Sequence, residues 1–350
     1  MGNRNFAFCP ALLIAILLPS SLLAEPQGLF YYIPGEDAWE SLSVNVKKIS
    51  ILGPQVLTAN AEGKVSGTVE ERVRLLAAQY EIRVMPLLMN ENFSSQAAHN
   101  ILSNESLRKR VISDSILLCL ENSCWGLQLD FENLLPEDGQ HYMLFVREAA
   151  KAFHERRLRF SVAVPSPLLG ERLSPEANPR AFGGFLISQE PYDLKELSRH
   201  ADFISLMTYD HYATGTASGP IAGYVWVEQN VRFALRRVSR KKLFVGLGLY
   251  ARRWCNQQVS ESSYSEAAQW AREVGAAYHW DSTNRSPWFE FNGTDCRHVV
   301  WFENQESLRE KLHLVQQFRL AGFSAWRLGQ EDPTFWKELS ERKVQGPRSR

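Results

Sequence analysis

Eight short apolar runs of strand length recur along this chain between segments of helical period, and no other feature restricts its fold as tightly. They are GLFYYI from Gly28, ISIL from Ile49, IRVMPLL from Ile82, GLQLDF from Gly126, RFSVAV from Arg159, DFISLMTY from Asp202, LFVGLGL from Leu243 and FSAWRL from Phe323. Near-continuous apolar strands are buried on both faces, as in a parallel sheet whose crossover helices cover it. Eight such βα units predict an α/β fold, the closed (β/α)₈ barrel of the TIM type. The intervening helices agree: Val69, Val73, Leu76 and Tyr80 fall on one face, as do Tyr142, Phe145, Val146, Ala149 and Phe153, and again Val227, Val231, Leu235 and Val238. Asp138 is the expected N-cap of the second of these helices, and Gly322 the expected stop of a helix starting near Ser307.

One interval is too long for a simple crossover. More than fifty residues separate Tyr250 from Ser307, and they predict a small α+β insertion between strand seven and helix seven, at about 252–303. Its aromatics Trp254, Tyr278, Trp280, Trp288 and Phe289 either wall a ligand cleft or form the insertion's own core. The expected organisation is a secretory signal peptide at 1–24, one domain at 25–340 and a disordered tail at 341–350. The signal reading rests on Arg4, the apolar stretch from Phe6 to Leu18 and small residues up to Ala24. That stretch is short for a membrane span, so the mature protein is expected to be secreted or periplasmic, without stable membrane insertion.

Charge narrows the partners. With 39 Lys+Arg against 39 Asp+Glu, no net field favours nucleic acid or an anionic membrane, and a neutral, locally recognised ligand is expected. Export places Cys119, Cys124, Cys255 and Cys296 in oxidising surroundings. Of the three possible pairings, Cys119 with Cys124 and Cys255 with Cys296 each close one local loop. Buried free thiols and a zinc site compete with that reading. The zinc site lacks a CxxC element and a suitably clustered His, so no metal or cofactor is expected.

Strand four ends unusually. In WGLQLDFENL, residues 125–134, alternation turns Leu127, Leu129 and Phe131 toward the helices and Gln128, Asp130 and Glu132 into the barrel. Unpaired polar groups cost several kcal/mol each in such an interior, so structure alone does not select this pattern. Reacting groups of (β/α)₈ enzymes lie at the C-terminal strand ends, where Asp130 and Glu132 fall. Their Cα atoms are expected about 6–7 Å apart, close enough for one charge to hold a proton on the other. A calcium-ligating pair, or a bridge to an arginine such as Arg327, is the competing reading.

The strand-four segment GLQLDFE resembles the D-G-x-D-x-D-x-E signature of glycoside hydrolase family 18. Trp125 replaces its first Asp and Gln128 its middle Asp. SLMTYDHY, FSAWRLGQEDPTFW, GLGLYARRW and VWFENQESL extend the resemblance over nearly the whole mature chain, most closely to the spore-cortex-lytic N-acetylglucosaminidase branch, whose middle position also carries an amide. The resemblance implies a glycosidase that cleaves β-1,4 linkages at N-acetylglucosamine in peptidoglycan or chitin-type oligosaccharides, with the substrate's acetamido group as nucleophile. It makes Glu132 the general acid and base, Asp130 the residue that orients the acetamido group, and Tyr209 the donor to its carbonyl. Gln128, Met207, Asp210, Trp326 and Asn90 are the expected substrate-binding residues, with His211, Glu228 and Arg327 as weaker candidates. A lectin-like family member that binds such glycans without cutting them is the rival reading, against which the retained Glu132 argues.

Overall fold

The computed structural model describes residues 26–168, 191–256 and 258–342. The expected signal peptide, Cys9 and residues 343–350 of the expected tail lie outside these. Strands one to eight run Gln27–Tyr32, Ile51–Ala59, Leu87–Asn90, Gly126–Asp130, Arg159–Pro165, Ile204–Met207, Leu243–Gly248 and Gly322–Trp326. Each pairs in parallel with the next, and the ring closes where Phe30 opposes both Leu52 and Ala325. The expected barrel is therefore present, and the third run departs from it in one detail. Pro86 has no N–H for the ladder, so IRVMPLL splits into Arg83–Val84 and Leu87–Asn90.

Period-two alternation explains how strand four sits. Leu127, Leu129 and Phe131 are buried outside the ring, and Phe131 stacks on Phe145 of helix Gly139–Glu155 with centroids 5.7 Å apart. Each such aromatic contributes about 1.5–3 kcal/mol by leaving water. Inside, Leu29, Tyr31, Ile51, Met85, Leu87, Phe203 and Phe244 form an apolar plug. Trp125 packs against that plug, stacked on Phe203 at 6.4 Å, with the Arg83 guanidinium 4.8 Å from its ring centroid. It thus finishes the barrel floor, at the opposite end of strand four from Asp130.

The insertion folds as an antiparallel five-stranded sheet with one helix, Tyr264–Val274. Ser263 and Glu266 form a capping box at the helix start, and Gly275 at φ 63° ends it in the left-handed conformation. Phe289, Val300 and Phe302 pack with Ala251, Ala267 and Ala271 as its core. The buried Lys311 and Glu303 side chains, 2.7 Å apart, tie its exit to helix Gln305–Gln317. Among the described residues no helix is long and apolar enough to cross a membrane.

Three local expectations need correction. Cys255 and Cys296 form the expected disulfide, but Cys119 and Cys124 are free thiols. Cys119 lies in the last turn of helix Glu105–Glu121, and its carbonyl accepts from Cys124 N–H at 2.8 Å. Both side chains pack as small apolar groups in the main core. Asp138 does precede helix Gly139–Glu155, yet its carboxylate pairs with His99 Nδ1 at 2.8 Å instead of capping. Gly322 opens strand eight, four residues beyond the Phe318 cap of helix Gln305–Gln317.

Candidate active site

A cavity of about 390 Å³ opens at the C-terminal ends of the barrel strands, with Tyr31, Asp130, Glu132, Met207, Tyr209 and Trp326 on its walls. Asp210, Glu261 and Arg327 line it as well. Chain elements far apart in sequence converge here because strands four, six and eight all end on this face.

Asp130 is the last residue of strand four and is almost fully buried. Its Oδ1 has no hydrogen-bond partner among the described residues. An orphaned buried oxygen at a cavity wall costs about 1–3 kcal/mol until a donor reaches it. Burial pushes the Asp130 carboxyl up to about 7. Glu132, partly buried, is pushed well above the usual carboxylate range, first by burial and then by the negative charges of Asp130 and Asp210. Such a pair can hold one proton near neutrality, with Glu132 as the donor.

Asn90 and Gln128 lie behind the cavity wall and shape it from there. Asn90 is fully buried; its Oδ1 accepts from Glu132 N–H, and its Nδ2 donates to the carbonyls of Glu132 and Ser94, all at 3.0 Å. It therefore pins the backbone that carries Glu132. Gln128 Oε1 accepts from the Tyr31 hydroxyl at 2.8 Å, and its Nε2 donates to Ser161 and Ser205, each at 3.2 Å. Both amide hydrogens are spent inside the barrel, so the amide neither charges nor bonds Asp130.

Tyr209 follows strand six, and burial first, then the neighbouring Tyr31, Asp130, Asp210 and Tyr250, hold its hydroxyl protonated as a donor. Its seat depends on Gly246, where a Cβ would stand 2.4 Å from the Leu206 carbonyl and 2.9 Å from Tyr209 Cε1. Gly246→Ala is expected to destabilise the protein by about 1–3 kcal/mol in urea titrations, as overpacking does. An unchanged midpoint would show that the barrel yields at this point. Trp326 closes strand eight with its ring 5.5 Å from that of Tyr31, and a cis peptide joins it to Arg327. Among the described residues no ion pair joins Arg327 to either acid.

Asp210, at φ 61°, is held by groups that sequence reasoning missed. Arg252, almost buried, reaches it at 2.6 Å and Glu261 at 3.6 Å, and donates to the Tyr212 carbonyl at 2.9 Å. The Tyr250 hydroxyl also donates to Asp210. Both come from strand Tyr250–Cys255, so the insertion supplies one wall of the site. The signal was present in YARRW: alternation places Tyr250 and Arg252 on one strand face.

Other candidates lie elsewhere. His211 stacks on Trp226 at 4.4 Å, and Glu228 pairs with Arg232 on helix Tyr224–Leu235. None of the five insertion aromatics lines the cavity; Trp254 and Phe289 are buried, whereas Tyr278 and Trp280 are exposed.

Comparison with known proteins matches residues 51–331 to the family described as glycosyl hydrolases family 18. The uncharacterized glycosylase YvbX of Bacillus subtilis is 24% identical over 321 residues, covering 88% of this chain and 89% of that protein. The cortical fragment-lytic enzyme of Bacillus subtilis is 27% identical over 73% of this chain, which spans only 58% of that enzyme. Among solved structures, the Bacillus megaterium spore cortex-lytic enzyme SleL superposes with TM-score 0.79 at 22% identity, over 91% of this chain and 75% of that one. A chitinase from Chromobacterium violaceum gives TM-score 0.79 at 24% identity, over 89% and 97% respectively. These two structures share the fold.

Proposed function

The chain belongs to family 18 of the glycosyl hydrolases and is a glycosidase; from that membership we propose that it cleaves β-1,4 linkages at N-acetylglucosamine, and from Arg4, the apolar stretch Phe6 to Leu18 and the small residues up to Ala24 that it is exported. Peptidoglycan fragments are the favoured substrate and chitin-type oligosaccharides the next, in keeping with the chain's similarity to a cortical fragment-lytic enzyme and to a chitinase. The observation that carries the reading is the orphaned Asp130 Oδ1 beside Glu132 in one cavity. An acetamido N–H is the donor that oxygen lacks.

In this reading the 2-acetamido N–H donates to Asp130 and its carbonyl accepts from the Tyr209 hydroxyl. The carbonyl oxygen is thereby held under the anomeric carbon, a positioning worth several kcal/mol. It attacks that carbon and forms an oxazolinium, while the proton of Glu132 passes to the leaving glycosidic oxygen. Glu132, now ionised, takes a proton from water, which opens the oxazolinium from the opposite face with net retention. The Trp326 ring floors the subsite of the reacting sugar, and Met207 and Asp210 flank its acetamido group.

Gln128 favours one rival. A neutral amide turned away from Asp130 cannot share charge with it, as expected of a family 18 protein that binds glycan and cuts it poorly or not at all. Incubation with chitotetraose, with purified peptidoglycan and with their de-N-acetylated forms separates the two, new reducing ends being read by mass spectrometry. Hydrolysis of the acetylated substrates alone is the expected result. Equal hydrolysis of the de-N-acetylated ones would remove the acetamido nucleophile, and binding without product would leave the binder.

A further inference from the structure

The insertion assembles four metal-ligating side chains outside the hydrolytic site. Strand Tyr250–Cys255 pairs with strand Arg297–Phe302 so that Cys255 opposes His298. Cys296 ends the turn that leads into this strand, two residues before His298, its carbonyl accepting from Gly293 N–H at 2.8 Å, and Asp295 precedes it in that turn. Their ligand atoms all lie within 4.8 Å of one another. Around the Cys255–Cys296 disulfide, His298 Nε2 is 3.6 Å from Cys296 Sγ and 3.5 Å from Asp295 Oδ1, and Asp295 Oδ2 is 3.5 Å from Cys255 Sγ. A tetrahedral ion with bonds of about 2.0–2.3 Å needs ligand–ligand edges of roughly 3.3–3.8 Å, so with Asp295 Oδ1 as the ligand the two edges that meet at His298 are already set. The imidazole has a built seat: it is almost buried, stacks on Phe291 at 4.6 Å, and fills space that a Cβ on Gly293 would enter to within 2.6 Å of Nε2.

We propose that Cys255, Cys296, His298 and Asp295 form a zinc site once the disulfide is reduced, so that the same crosslink exists as S–S in oxidising surroundings and as S–Zn–S in reducing ones. An external dithiol breaks the S–S bond, becomes a cyclic disulfide itself and leaves two thiols. Zinc then displaces both thiol protons to solvent and is bound by two thiolates, the neutral imidazole and a carboxylate oxygen. Two sulfurs, one nitrogen and one oxygen in tetrahedral array suit zinc over magnesium or calcium. His298 escaped sequence reasoning because only strand pairing brings it to Cys255. The site keeps strand Tyr250–Cys255 tied to its neighbour, and that strand also carries Arg252 to Asp210.

Cobalt(II) makes the test visible. The full chain is reduced with a dithiol, desalted under inert gas and titrated with cobalt, then with zinc, while circular dichroism follows the fold. One equivalent of cobalt is expected to give thiolate charge-transfer and tetrahedral visible bands, bleached by one equivalent of zinc and absent before reduction. His298→Ala, whose folding is checked while oxidised, should weaken binding by more than the roughly 10- to 100-fold typical of losing an outer-shell partner. Cys119→Ser with Cys124→Ser should keep the bands. Absent bands in reduced, folded protein overturn the proposal, as do bands that titrate in His298→Ala with the parent's affinity or vanish with the Cys119 and Cys124 pair. If reduction unfolds the insertion, zinc must restore its dichroism, and failure to do so overturns it equally.

Discussion

Glu132→Gln is expected to lower kcat on N-acetylated oligosaccharides by about 10²- to 10⁴-fold, the range that one general acid–base group contributes. The amide matches the carboxyl in size, and Asn90 continues to hold the backbone at residue 132 through hydrogen bonds that involve no Glu132 side-chain atom. The cavity therefore keeps its shape, and glycan Kd should stay within a few-fold of the parent value. The amide can still point a hydrogen at the glycosidic oxygen, but it cannot surrender a proton to it or later accept one from water. Steady-state kinetics with mass-spectrometric detection, paired with calorimetric binding, checks both halves. Equal kcat in the two proteins would remove Glu132 from the mechanism, while a large rise in Kd with unchanged kcat would reassign it to substrate binding.

Asp130→Asn is expected to separate stability from activity. Burial raises this carboxyl from its unfolded value near 4 to about 7. The folded state thus holds the proton more tightly than the unfolded chain does. The stabilisation linked to that proton is complete below about pH 4 and is lost as pH rises toward 7. A permanently neutral Asn escapes this loss, so Tm should exceed that of the parent at pH 8 and differ little at pH 4. Activity should move oppositely, kcat falling by about 10²- to 10³-fold with the loss of a preorganised charge beside the oxazolinium. The Asp130 charge also helps to raise Glu132. Without it Glu132 gives up its proton at lower pH, and the basic limb of the kcat/KM profile shifts downward. Thermal unfolding at the two pH values and a pH–rate profile decide the matter. An unmoved basic limb would mean that the two carboxyls do not sense each other.

Much of this was legible in the residues. Strand four shows why: alternation is a property of the local backbone, so Leu127 and Phe131 had to face opposite to Gln128 and Asp130 wherever the strand lay. The insertion was likewise visible as an interval too long for one crossover. Trp125 was harder. Its departure from the expected acid had no local explanation, and only Phe203 and Arg83, brought in by other strands, show that it belongs to the barrel floor. Cys119 and Cys124 misled because closeness in sequence does not make a bond, and the helix end between them leaves both thiols in the core.

The sequence by itself determined the barrel, the insertion and the strand face that carries Asp130 and Glu132, because hydrophobic period and strand alternation act over a few residues. Only the tertiary structure decided what those acids meet. Barrel closure spends Gln128 on Tyr31, Ser161 and Ser205, and strand three lends Asn90 to the Glu132 backbone. The insertion's register sends Arg252 to Asp210 and sets His298 opposite Cys255. Each of these contacts joins residues distant along the chain, and their separation is set by how strands align, which no local pattern records.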